Sequence, residues 1–202
     1  TAIFGRIPYH LTKDDFDMNI ILGSQSPRRQ ELLRGLDLDF EVRTLEGNDE
    51  HYPDTLQGAD IPLYLAKQKA AVLLPTLTAD DLLITADTIV WLDGAVYGKP
   101  TNAADAKRML HALSGRTHDV ITGVCVTTTA RQESFATTTK VTFATLDSAE
   151  IDYYIDKYRP FDKAGSYGVQ EWIGYIGVER LEGSFYNVMG LPIQRLYTVL
   201  KQ

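Results

Sequence analysis

Two adjacent arginines at the start of a helix, an aspartate inside an apolar strand, and lysines on otherwise apolar surfaces are the residues of this sequence best equipped for chemistry. The first group is Ser24-Gln25-Ser26-Pro27-Arg28-Arg29, which follows the short apolar strand Ile20 to Leu22. A strand, a small-residue turn and a helix start converge free backbone N–H groups and the positive end of the helix dipole on one point, which suits an anion. That dipole favours acidic residues in the first turn, so Arg28 and Arg29 run against it. A bound anion would resolve the conflict, and the planar guanidinium can grip two phosphate oxygens at once. The alternative is a capped helix whose arginines face water.

The second group centres on Asp87 in Leu82-Leu83-Ile84-Thr85-Ala86-Asp87-Thr88-Ile89-Val90. A carboxylate in a buried strand is costly unless it is paired, hydrogen-bonded or metal-bound. Its surroundings could tune it as a base; the other reading is a strand-end aspartate turned to solvent. Lys69 lies four residues after Leu65 and three before Val72, on the apolar face of its helix. Lys99 precedes Pro100, close in sequence to the Asp87 strand. Lysines at such seams either bind a ligand or extend their heads to water.

Asp162-Lys163-Ala164-Gly165-Ser166-Tyr167-Gly168-Val169-Gln170 is a glycine-rich stretch that allows close backbone approach to a ligand, and Gln170 offers the donor and acceptors needed to read a base edge. An ordinary surface loop fits the local pattern equally well. Gly183 to Pro192 reads as a structural turn leading into a helix, with Asn187 suited to the turn. His10, His51, His111 and His118 show no metal-ligand spacing. Cys125, flanked by valines, reads as a small core residue. Neither a G-x-S-x-G nor a P-loop pattern is present.

The elements that must position these residues can be read from the same pattern. Pro27 opens a helix that runs to about Arg34 and stops at Gly35. A polar stretch from Glu46 to Gly58 leads to a second helix from about Pro62 to Leu74. Leu82 to Leu92 is a strand, turned at Asp93-Gly94 into the return Ala95 to Tyr97. Asn102 caps a third helix ending at Ser114-Gly115. Asp119 to Thr129 and Phe135 to Thr145 form a hairpin around Ala130 to Ser134. Asp147 with Glu150 makes a capping box for a helix stopped by Pro160. The punctuated region Gly165 to Gly190 precedes a last helix near Pro192. This order predicts an α/β protein with a partly antiparallel sheet.

The 202 residues suffice for one substantial core or a two-lobed domain. A net charge of -7 argues against non-specific binding to nucleic acid or an anionic membrane, while leaving room for a local basic pocket. One cysteine excludes an internal disulfide and fits a reducing cytoplasm. No apolar run approaches the roughly 20 residues of a spanning helix, and residues 1–18 read as an N-terminal extension before a domain over 19–202.

In this order the motifs resemble the Maf family of nucleotide pyrophosphatases, also known as septum formation inhibitors. The matching pieces are Ser24 to Arg29, Leu65-Ala66-Lys67-Gln68-Lys69-Ala70, Ala86-Asp87-Thr88, Gly98-Lys99-Pro100, Asp162 to Gln170, and Gly183-Ser184 through Leu191-Pro192. The resemblance implies an elongated, two-lobed α/β fold with helices flanking a mixed sheet and a nucleotide cleft between the lobes. It also implies hydrolysis of a nucleoside triphosphate to the monophosphate and pyrophosphate, with Mg²⁺ or Mn²⁺. On that resemblance Asp87 is the proton acceptor, Ser24, Arg29, Lys69, Lys99 and Lys163 line the substrate site, and Glu50 and Asp87 are the metal ligands. Arg28, Thr88 and Gln170 match the substrate positions that separate family branches, and here they resemble the branch acting on dTTP and UTP, modified pyrimidines included. A cytoplasmic chain, free or as a homodimer, fits the resemblance. The family's septum name supplies the alternative, a nucleotide-sensing regulator of division with little catalysis.

Overall fold

A computed structural model describes residues 18–45 and 51–202. In chain order the elements are β1 (Asn19–Leu22), α1 (Pro27–Arg34), β2 (Phe40–Val42), α2 (Asp60–Leu73), β3 (Asp81–Leu92), β4 (Ala95–Tyr97), α3 (Ala103–Leu113), β5 (Thr117–Thr127), β6 (Gln132–Phe143), α4 (Ser148–Tyr158), α5 (Trp172–Gly177), β7 (Val178–Glu182), α6 (Phe185–Met189) and α7 (Ile193–Leu200). The strands make a seven-stranded mixed sheet in the order β2-β1-β3-β5-β6-β7, with β4 also paired to β3. β1 is parallel to both β2 and β3, whereas β3 with β4 and β6 with β7 are antiparallel. Among the described residues no helix is long and apolar enough to cross a membrane.

The chain divides into two compact units, and β3, β5 and β6 contribute residues to both. The first comprises the segment ending at Asp87 together with Thr122–Thr137 and Gly190–Gln202. Its organising contact is α2 on one face of the sheet. Side chains alternate along a strand, so Leu83, Thr85 and Asp87 share one face of β3. Leu83 packs with Ile21, Cys125, Ala66, Ala70 and Leu73 in a buried cluster. Two β5 residues on, toward the start of the helix, Gly123 has no room for a side chain. A Cβ there would lie 2.4 Å from the Pro62 carbonyl and the Leu63 nitrogen, so the helix backbone sits directly on the strand. The buried face of α2 is Ile61, Pro62, Leu65, Ala66, Ala70 and Leu73. Val72 is exposed, which corrects the helical face expected from the sequence. Lys69 belongs beside the buried face because Leu65, Ala66 and Leu73 stand one turn away, not because of Val72.

The second unit comprises Thr88–Ile121 and Thr138–Met189. Asn102 caps α3 by accepting the Asp105 N–H at 2.9 Å. Asp147 and Glu150 form the expected capping box on α4, which ends at the left-handed Arg159 just before Pro160. The region expected only as glycine punctuation carries α5, β7 and α6, and β7 extends the sheet beyond β6. Asn187, expected to serve a turn, is instead fully buried and donates to the Val120 carbonyl at 3.1 Å and to Thr139 Oγ1 at 3.0 Å.

The core of this unit also holds His118, edge-on to Phe143 and Tyr167, with Nε2 2.7 Å from the Tyr167 hydroxyl. Burial lowers the His118 pKa from its ordinary 6.5 to about 4. Between those values the unfolded chain holds a proton that the folded one refuses, so stability falls as pH drops from 6.5 toward 4. Replacing His118→Gln should therefore shrink the stability difference between pH 7 and pH 4.5 by about 2 kcal/mol, read by urea denaturation at each pH.

Candidate functional site

In the first unit the Ser24–Arg29 turn leaves the end of β1 beside the middle of β3, the strand that carries Asp87. β1 runs parallel to β3 with Leu22 opposite Ile84, and the Gly23 N–H continues the ladder to the Ile84 carbonyl at 2.8 Å. The turn therefore leaves the sheet level with Thr85, two residues before Asp87. Within it the Ser26 backbone N–H donates to Ser24 Oγ at 3.2 Å, and Ser26 caps α1. No acidic residue occupies the first turn of α1, so the positive end of its dipole and Arg28 and Arg29 act together.

Arg29 reaches back across this turn. Its Nε donates to the Gly190 carbonyl at 2.7 Å and its Nη1 to Ser24 Oγ at 3.3 Å. Gly190 belongs to the Gly183–Pro192 motif, so that segment contributes to the site by fixing an arginine. Pinned in this way, the guanidinium loses less freedom when an anion arrives. Ser24, only 8% exposed, is held between the turn and Arg29.

Asp87 is buried, and Lys69 Nζ donates to its Oδ1 at 2.6 Å. The two side chains are 10% and 15% exposed, so water screens the pair weakly. The ammonium offsets the carboxylate's desolvation, and the carboxylate keeps the ammonium from turning to solvent. Of the two readings of Asp87 open from the sequence, the geometry selects the buried and paired one. Among the described residues no group of three or more His, Cys, Asp or Glu side chains clusters as a ready metal cage. Glu50, expected as a metal ligand, lies outside the described residues.

The second unit carries Thr88, Lys99, Lys163 and Gln170. The Gly165 N–H donates to the Gly98 carbonyl at 3.1 Å, joining the glycine-rich stretch to the segment bearing Lys99. Gly165 has φ 67°, and a Cβ there would meet Val90 Cγ2 at 2.8 Å, so only glycine fits. Lys99 is exposed, whereas Lys163 is buried with Nζ 2.8 Å from Asp162 Oδ1 and 3.1 Å from Glu171 Oε1. Two carboxylates therefore already neutralise Lys163. The Tyr154 hydroxyl donates to Glu171 and accepts the Gly168 N–H at 3.0 Å. Burial, reinforced by Glu171, raises the Tyr154 pKa, which keeps it a donor. Gln170 Oε1 is buried with no hydrogen-bond partner among the described residues. Sequence reasoning missed Tyr154 and Glu171, whose roles emerge only when α4 and the glycine-rich stretch come together.

Comparison with known proteins agrees with these motifs. A family model described as Maf-like protein matches residues 19–202, and the chain belongs to the Maf family. It is 63% identical over 183 residues to the dTTP/UTP pyrophosphatase of Phocaeicola vulgatus, covering 91% of this chain and 95% of that one. It is 50% identical over 190 residues to the dTTP/UTP pyrophosphatase of Flavobacterium psychrophilum, covering 94% and 97%. Among solved structures it resembles a HAM1 protein from Coxiella burnetii, with a TM-score of 0.46 and 16% identity, over 91% of this chain and 98% of that one.

Removing one member of the buried pair strands the other. Lys69→Met should destabilise the protein by about 3 kcal/mol, the lower end for buried pairs because this one retains slight exposure. Adding Asp87→Asn should restore about half of that loss in chemical denaturation.

Proposed function

We propose that this chain is a hydrolase that cleaves dTTP and UTP between the α- and β-phosphates, giving the nucleoside monophosphate and pyrophosphate. The observation that carries this reading is the buried Lys69–Asp87 pair on β3, the strand beside which β1 ends and the Ser24–Arg29 turn departs. A base, an ammonium and an anchored guanidinium then belong to one compact unit. The names of the relatives supply the substrates.

Water attacks the α-phosphorus, forming a new P–O bond while the bond to the bridging oxygen of the β-phosphate breaks. Asp87 accepts the proton lost by the water, and pyrophosphate departs with the electron pair of the broken bond. Arg29 and Lys69 balance the triphosphate's charge as it shifts onto the leaving group. Ser24 and the free N–H groups at the start of α1 orient the phosphate oxygens. Lys69, 2.6 Å from Asp87, is placed to share its charge between that carboxylate and the substrate. Thr88, Lys99, Lys163 and Gln170 are assigned to substrate binding, and Arg28, Thr88 and Gln170 to choice of base, on the family resemblance.

The donor set fits a hard divalent cation. Mg²⁺ commonly takes one or two carboxylates and completes its shell with phosphate oxygens and water, and Asp87 supplies one such carboxylate in this site. Bound there, Mg²⁺ or Mn²⁺ would add positive charge at the phosphates and acidify water. Asp87, and Glu50 by resemblance, would hold it.

Purified protein with Mg²⁺ or Mn²⁺ should release pyrophosphate, not orthophosphate, from dTTP and UTP in preference to purine triphosphates and 7-methyl-GTP. In ¹⁸O-labelled water the label should enter the monophosphate. Orthophosphate as product, label in the pyrophosphate, or tight binding without turnover would overturn this reading.

A further inference from the structure

Thr85 is fully buried in the middle of the long strand β3, yet its hydroxyl is not idle. It donates to the Ala66 carbonyl at 2.7 Å. Ala66 lies three residues before Lys69 on α2, nearly one turn. Thr85 lies two residues before Asp87 on β3, the interval that returns a side chain to the same face. One strand face and one helix are therefore joined twice, by a hydrogen bond and by an ion pair, in matching order along both elements.

The apolar packing of the helix on the sheet includes the small side chains of Ala66 and Ala70 with Leu83 of β3 and Cys125 of β5. Such contacts are non-directional and fix the helix position less sharply than a hydrogen bond to one named atom does. A shift of the helix would move the base of the Lys69 stem and change the geometry of its 2.6 Å contact with Asp87. A hydrogen bond to one particular carbonyl supplies the missing direction. The Thr85 methyl has its own place: a Cβ on Gly23 would fall 2.7 Å from Thr85 Cγ2. Gly23 thus leaves the space that Thr85 fills, at the residue where the Ser24 turn begins.

We propose that Thr85 is a positioning residue for the reaction. Its hydroxyl sets the axial position of α2 so that Lys69 meets Asp87, and its methyl fits that arrangement to the turn carrying Ser24. The catalytic half of this inference rests on the pyrophosphatase reading above; the structural half does not.

The test uses the full chain with Thr85→Val, which keeps the shape and loses the hydroxyl, and Thr85→Ser, which keeps the hydroxyl, each with and without Lys69→Met. With dTTP and Mg²⁺, Thr85→Val should lower kcat about tenfold with KM within about twofold, while Thr85→Ser, which loses only the methyl's fit to the turn, should lower it about threefold. In the Lys69→Met background Thr85→Val should cost no further kcat, because the group it positions is gone. Equal losses in both backgrounds, or parental kcat in Thr85→Val, would overturn the proposal. Unfolding midpoints of Thr85→Val, Lys69→Met and the double variant give a readout that needs no turnover. Coupled midpoint shifts support the clamp and additive shifts refute it, even if the parent protein releases no pyrophosphate.

Discussion

Everything in the first unit answers to the cost of keeping one carboxylate out of water. Asp87 follows a run of buried strand residues, and Lys69 pairs with it at 2.6 Å. Lys69 in turn can reach it only if α2 lies close on the sheet. Gly123 permits that approach by offering no side chain beneath Pro62, and Ala66 and Ala70 keep the helix near the strands further along. An apolar face does the packing, and a few polar contacts give it direction. Losing one of these contacts should affect chemistry before it affects the fold.

The phosphate-binding reading of the turn after β1 has a second support besides helix electrostatics. Arg29 is not a surface charge that happens to lie near a helix start. Its contacts with Gly190 and Ser24 tie the front of the domain sequence to its last motif. In the second unit, Glu171 does comparable work by holding both Lys163 and Tyr154. The glycine-rich stretch is therefore ordered by buried charge as well as by its glycines.

Local chemistry made much of this legible in the sequence. Proline and glycine marked both ends of α1, Asn102 and the Asp147–Glu150 box marked two more helix starts, and Asp93-Gly94 marked the turn from β3 to β4. Asp87 and Lys69 were noticed because each broke the polarity of its surroundings, and they proved to be partners. Elements that depend on distant partners were not visible. β2 has three residues and exists by pairing with β1, while β7 exists by pairing with β6. Thr85 looked like any β-branched strand residue, since nothing local shows that its hydroxyl meets a helix carbonyl. Asn187 looked like a turn residue because its buried acceptors are 48 and 67 residues away.

The most direct test of the account separates binding from turnover at Asp87. An Asp87→Asn variant keeps the size of the side chain and removes its ability to accept a proton. Affinity for a non-hydrolysable dTTP analogue and the single-turnover rate with dTTP would be measured side by side with the parent protein. Affinity should stay within about fivefold of the parent, and the rate should fall by about 10³-fold. A variant that still turns over at a near-parental rate would contradict the assignment of Asp87 as the base on which the rest of the site is organised.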